Sequence, residues 1–329
     1  MEMKTLNVPD SIWDSAEFVM DNAKDVTISE PGLTALADKV RQRFIQGFDT
    51  VEDAFGSVDN LDKDINVVYF ETAANFCFWD QEPDEKWKFQ YGDNVSGGWY
   101  GLRNVFASAL ADGTPVYDAA FMSQLTTAKA DRLFRDSNGK QIPLIEWRVN
   151  NIVEAAEFLL REHDGSAHNF IASCNYDAPT IAHKITQSLH CYRDGSWYGD
   201  RWVWFLKRAQ ILPNDLSQLS QKYPEFVINN KDQLTIFADY RLPQVLRHYG
   251  VLEYSEKLAH AIDTRKLITN GSPEEIEIRA ATIAACKRLG KLCPDISIAD
   301  IDVSLWLLSQ DARAAADMKP HHMTVSYFY

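Results

Sequence analysis

Apolar residues recur at helical spacing along most of the chain, in blocks short enough to be separate helices. Ile12, Ala16, Phe18 and Val19 mark a first helix, with Pro9 and Asp10 as start signals, and a second runs from about Gly32 to Phe44. The run Ile65-Asn-Val-Val-Tyr-Phe70 is apolar and partly β-branched, which predicts a short strand. A polar, tryptophan-bearing segment from Asp80 to Tyr91 and the glycine-bearing Ser96-Gly-Gly-Trp-Tyr-Gly101 follow. Helix-length blocks then return at Leu102 to Leu110, Ala119 to Leu125, Ala128 to Phe134 and Glu146 to Arg161, a helical array with short connections.

The second half continues the pattern. Ala178 to His190 and Trp202 to Leu212 predict two more helices, and Tyr240 to Tyr249 another, with Pro243 tolerable in its first turn and Gly250 as its closing cap. Ser272-Pro-Glu-Glu-Ile-Glu-Ile-Arg-Ala280 is a strong helix start running to about Leu289: Ser272 caps, Pro273 suits the first position and Glu275 completes a capping box. Glu277 and Arg279 read there as a structural ion pair. No repeat, low-complexity tract or Pro/Ser-rich linker divides the chain. The fold class predicted is mainly α with minor β content, a single compact unit over residues 1–329 or two lobes joined without a visible boundary.

Composition narrows the function. A chain of 329 residues that is 46% hydrophobic can bury a large core. A formal charge of -14 disfavours a nucleic-acid polymer as partner, because a phosphate backbone demands a basic face. Cys77, Cys174, Cys191, Cys286 and Cys293 are odd in number and form no C-x-x-C pair, which argues against a disulfide framework and a zinc site and for a reduced, cytoplasmic chain. The start, Met1 to Thr5, has no signal character, and no stretch approaches the roughly 18 apolar residues of a membrane span. No histidine spacing suggests a metal, and no motif suggests a cofactor or an obligate protein partner. His321-His322 read as surface-exposed.

Candidate chemistry lies where charges interrupt apolar segments. In Phe205-Leu-Lys-Arg-Ala-Gln-Ile-Leu212, Lys207 and Arg208 point about 100° apart on a helix, so one of them faces inward. In Thr235-Ile-Phe-Ala-Asp-Tyr-Arg-Leu-Pro-Gln-Val-Leu246, Asp239 precedes a helix start. It is either a cap or a carboxylate that supports an oxocarbenium-like transition state, shielded by Phe237 and Tyr240. Asn75-Phe-Cys-Phe-Trp79 joins an amide to three aromatics, a combination suited to a flat heterocycle and equally to a core.

Together with Glu275-Ile-Glu-Ile-Arg279, these segments resemble the queuosine salvage protein family, the queuosine 5'-phosphate N-glycosylase/hydrolases, over nearly the whole chain. The resemblance implies a helical fold with helix-hairpin-helix DNA-glycosylase character. It also implies an N-glycosyl hydrolase that releases queuine from queuosine 5'-monophosphate, leaving ribose 5-phosphate. Asp239 and Lys207 would be its catalytic pair. Asn75, Phe76, Phe78 and Trp79 would line the nucleotide pocket, with Tyr240 and Arg241 beside Asp239, and Lys207, Arg208 or Arg241 would anchor the phosphate. Cys77 stands where the family pattern suggests serine, and Met323 where it suggests arginine. The alternatives are a base-excising nucleic-acid glycosylase and a non-catalytic queuine or nucleotide carrier.

Overall fold

The run from Ile65 to Phe70, expected as a strand, is the middle of a helix. The computed structural model describes residues 7–47, 58–79, 86–310 and 318–329, so Met1 to Thr5 and positions 80–85 of the polar segment lie outside the described residues. In chain order the first elements are α1 (Val8–Asn22), β1 (Val26–Ile28), α2 (Glu30–Ile45) and α3 (Leu61–Ala73). Asn60 starts α3 by accepting the Lys63 N–H at 3.1 Å. Every residue of α3 from Asp64 to Ala73 is buried, so it shows no polar stripe, and without one an apolar run does not distinguish strand from helix.

The chain continues through the hairpin β2 (Phe89–Tyr91) and β3 (Asn94–Ser96) to α4 (Gly98–Ala111), α5 (Ala119–Met122), α6 (Thr127–Phe134), α7 (Ile145–Glu162), α8 (Ala167–Ser173) and α9 (Ala178–Ser188). Trp202 to Leu212 is not one helix. The hairpin β4 (Gly195–Tyr198) and β5 (Arg201–Trp204) comes first, Leu206 takes a left-handed conformation at φ 52°, and α10 (Lys207–Ser217) begins at the next residue. The aromatic alternation Trp202, Trp204 belongs to the strand. Then follow α11 (Arg241–His248), β6 (Leu252–Tyr254), α12 (Glu256–Asp263), α13 (Pro273–Leu292) and α14 (Ile298–Gln310).

The fold is mainly helical. Among the described residues the strands form three small antiparallel pairs, β1 with β6, β2 with β3 and β4 with β5. One buried apolar cluster extends from Val8 on α1 to Leu305 on α14. α13 runs through its middle, against α1, α2, α11 and α14. The Ser272 hydroxyl accepts the Glu275 N–H as expected, but the Glu275 carboxylate turns to the Gly271 N–H at 3.1 Å and the Tyr329 hydroxyl at 2.8 Å. Gly250 closes α11 at φ +67°, and a Cβ on Gly32 would lie 2.2 Å from its carbonyl oxygen, so the start of α2 approaches that turn only because residue 32 is glycine. Among the described residues no helix is long and apolar enough to cross a membrane.

Candidate active site

The segment 235–239 is an extended strap pinned at almost every residue. The Thr235 N–H and hydroxyl donate to Gln210 Oε1 at 2.8 and 3.0 Å, the Phe237 N–H donates to Asp302 Oδ2 at 2.7 Å, and Arg279 Nε donates to the Ala238 carbonyl at 3.1 Å. Asp239, at its end, caps the start of α11. Its Oδ1 accepts the Arg241 and Leu242 N–H groups at 2.7 and 2.9 Å, satisfying donors that a helix start leaves unpaired. Its Oδ2 has no hydrogen-bond partner among the described residues, and the residue lines a cavity of about 660 Å³. The cap fixes the carboxylate's orientation while leaving one oxygen bare.

Lys207 and Arg208 are both buried, at 6% and 1% exposure, but only Lys207 lines the cavity. Its backbone N–H donates to Asp194 Oδ2 at 2.9 Å. Burial lowers the ammonium's pKa; the Asp239 charge opposes that shift, and Arg208 and Arg279 add to it. No ion pair joins Lys207 to a carboxylate among the described residues. Arg208 turns away, donating to the Ala73 and Thr72 carbonyls at 2.7 and 3.4 Å and to the Cys191 carbonyl. It shapes the wall from behind and does not line the cavity, its Nη donors being directed to carbonyls at the end of α3 and at Cys191.

That end of α3 carries the Asn75–Trp79 loop, all of which lines the cavity. The loop holds its course with Cys77 at φ 36°, and the Cys77 N–H donates to the Tyr329 carbonyl at 2.9 Å. Arg148, fully buried, donates to the carbonyls of Ala74, of Phe76 at 2.6 Å and of Cys77 at 3.0 Å, and lies over the Phe76 and Phe78 rings at 4.3 and 4.9 Å. Trp87 stacks on Phe78 with centroids 6.4 Å apart, and Trp99, Tyr100 and Trp306 form a second aromatic group at 5.1 to 6.2 Å. Aromatic walls with a few convergent polar groups suit a flat heterocyclic ligand.

Tyr240 and Arg241 also line the cavity, as does His321, which sits 4.7 Å from the Tyr240 ring. Sequence reasoning missed Asp302, Asp215, His321, Trp306 and the pair Trp99, Tyr100. The glycine-bearing segment that holds Trp99 and Tyr100 is the only local signal for them. The expected exposure of His321 and His322 is overturned, and Arg279 makes its structural ion pair with Asp194 and not with Glu277. The tail folds back over the cavity, so His321 is partly and His322 wholly buried. Arg279 grips Asp194 through two bonds of 2.7 Å, and Glu277 accepts the N–H groups of Lys24 and Asp25 and the Tyr198 hydroxyl.

Burial pushes His321 down to about 4 and His322 down to about 3, with Arg241 and Lys86 adding to the first and His321 and Arg279 to the second. A folded value below the unfolded one gives stability that is present above about pH 6.5 and lost as pH falls toward those values. Between pH 7 and 5 the wild type is therefore expected to lose more melting temperature than His322→Gln, in thermal melts of the two proteins run side by side. An equal loss would show that His322 does not carry this dependence.

A family profile described as queuosine salvage protein matches residues 58–329. The chain is similar to a queuosine 5'-phosphate N-glycosylase/hydrolase of Sphaerobacter thermophilus, 32% identical over 268 residues, which are 80% of this chain and 81% of that protein. It is also similar to proteins of the same name from Bos taurus, 27% identical over 96% of this chain and 98% of theirs, and from Dictyostelium discoideum, 32% identical over 78% and 75%. The chain belongs to the queuosine salvage protein family.

Proposed function

We propose that this protein hydrolyses the N-glycosidic bond of queuosine 5'-monophosphate, releasing queuine and leaving ribose 5-phosphate. One observation carries the reading: Asp239, oriented by the start of α11, presents a bare oxygen to an aromatic-walled cavity beside the buried Lys207. Queuine is a 7-deazapurine without a ring N7, so protonation there cannot activate it as a leaving group. The reaction must then stabilise positive charge on the ribose, which a fixed carboxylate in a site shielded from water does well. Asp239 supports the oxocarbenium-like centre, and water adds to the anomeric carbon directly or after a transient Asp239 adduct. Lys207 holds a substrate oxygen, while Phe76, Phe78, Trp79 and Tyr240 shelter the base and Asn75 reads its edge.

With Arg208 committed to carbonyls, Arg241 is the cation we assign to the 5'-phosphate, with Lys86 beside it on the cavity wall. Arg241 is steadied by bonds to Gln244 Oε1 at 2.7 Å and the Ser309 carbonyl at 2.9 Å. A charge-assisted contact contributes about 1.5–3 kcal/mol, so Arg241→Gln is expected to lower the preference for monophosphate over nucleoside by about 10- to 100-fold, read as the ratio of kcat/KM values. An unchanged ratio would move the phosphate elsewhere.

The five cysteines are free and buried, which supports a reducing, cytoplasmic setting. We read the chain as one catalytic unit, supported by an apolar cluster that reaches from α1 to α14. Its frame we take as kin to helix-hairpin-helix glycosylases, on the ground that a lysine opening one helix and an aspartate preceding the next meet over a base-sized cavity. The partner is the small nucleotide itself. The test is mass-spectrometric detection of queuine after incubating the protein with the monophosphate, the nucleoside and queuosine-containing tRNA. Release from the monophosphate is expected. Release from tRNA alone would make it a nucleic-acid glycosylase, and tight monophosphate binding without release a carrier.

A further inference from the structure

Asp302 faces the same cavity from α14, the helix that packs on α11 and so flanks Asp239. It is 6% exposed. Its Oδ2 accepts the Phe237 N–H at 2.7 Å, two residues ahead of Asp239, and its Oδ1 has no partner among the described residues. A carboxyl this buried, with one oxygen bare toward a cavity, calls for a ligand group to complete its hydrogen bonding.

The groups around it are Asp239 on the strap, Lys207 and Asp215 on α10 and Cys286 on α13, while Asp300 on its own helix pairs with Lys231 at 3.9 Å. Burial pushes the Asp302 carboxyl up to about 8; the Phe237 N–H and Lys207 oppose that shift, and the charges of Asp239 and Asp215 add to it. At neutral pH it therefore carries a proton. Two carboxyls in one site with different environments divide naturally into a proton donor and a charge stabiliser.

We propose that Asp302 is the acid of the reaction, giving its proton to a heteroatom of the departing base as the N-glycosidic bond breaks. This rests on the hydrolase reading above. The bonding pair leaves with the base, which takes the Asp302 proton and departs neutral. The carboxylate left behind is held by the Phe237 N–H and the nearby Lys207. Water bonds to the anomeric carbon and gives its proton to Asp239, and exchange with solvent resets both carboxyls. One water is consumed, and no oxidant or further reactant is required.

The test is Asp302→Asn, assayed beside wild type for queuine release from the monophosphate across about pH 6 to 10. Asparagine keeps an oxygen for the Phe237 N–H but cannot give up a proton as an acid. The expected result is a kcat about 10²-fold lower with KM within a few-fold, and loss of the alkaline fall that the wild type shows above about pH 8. A raised KM with unchanged kcat, or an alkaline fall that persists in the variant and so belongs to Lys207, overturns the assignment. Should the variant not fold, wild type alone decides, since a rate that stays level between about pH 7 and 9.5 rules out a donor of this kind. Wild type that cleaves nothing at any pH overturns the hydrolase reading itself, whereas cleavage without the alkaline fall overturns only Asp302.

Discussion

Asp239→Asn is expected to bind queuosine 5'-monophosphate within a few-fold of wild type while its turnover falls by about three orders of magnitude or more. The substitution is nearly isosteric, and the asparagine oxygen can still accept the Arg241 and Leu242 N–H groups that hold Asp239 in place. The start of α11 thus survives and the stability change is small. What disappears is the negative charge that the proposed mechanism sets against the anomeric carbon. A stabiliser that acts only as charge develops in the transition state lowers kcat when removed and leaves ground-state binding alone. Lys207 also loses the main charge that opposes the lowering of its pKa by burial. Equilibrium binding of the monophosphate, measured calorimetrically beside single-turnover queuine release, checks both halves. A variant that loses binding in step with turnover would reduce Asp239 to a substrate-holding group.

Arg279→Met is expected to have the largest effect on folding, about 3–5 kcal/mol, because it leaves a buried carboxylate without its cation. Arg279 and Asp194 are both almost wholly buried and joined by two bonds of 2.7 Å, with Glu275 at 3.8 Å. The guanidinium also lies over the rings of Phe205 and Tyr329 at 4.2 and 4.1 Å. Its placement matters more than its energy. Asp194 accepts the Lys207 N–H while Arg279 donates to the Ala238 carbonyl, so a single ion pair ties the residue that opens α10 to the residue before Asp239. Urea denaturation should show the loss. The double change Asp194→Asn with Arg279→Met should be less destabilising than the sum of the single changes, since neither charge is then stranded. Additive losses would mean that the two residues stabilise the fold independently.

The candidate site is legible in the sequence in part, and the parts divide by cause. Lys207, Asp239, Tyr240, Arg241 and the loop Asn75–Trp79 stand in segments whose local make-up is unusual, with charges or rings set among apolar residues, and all of them line one cavity. Arg208 carries the same signal and lies behind the wall, because adjacent residues on a helix face different ways and periodicity does not say which faces the cavity. Asp302 carries no signal at all. In Ile301-Asp-Val303 it reads as an ordinary helix acid, and only the packing of α14 against α11 turns it toward the Phe237 N–H.

By itself the sequence determined the local features. The Ser272 cap and Pro273 start of α13, the Gly250 closure of α11, most of the helix-length blocks and the membership of the family are each written in a few neighbouring residues or in motif identity. The tertiary structure decided whatever depends on partners distant in the chain. Residues 65–70 are buried on every face of α3 and so carry no polar stripe to mark them as helical, Arg279 pairs with Asp194 across 85 positions and not with its neighbour Glu277, and His321 and His322 are buried because the tail folds back onto the cavity. Local propensity is a sum over near neighbours, whereas the burial and pairing of a charge depend on which surfaces meet, and that is settled only when the helices pack.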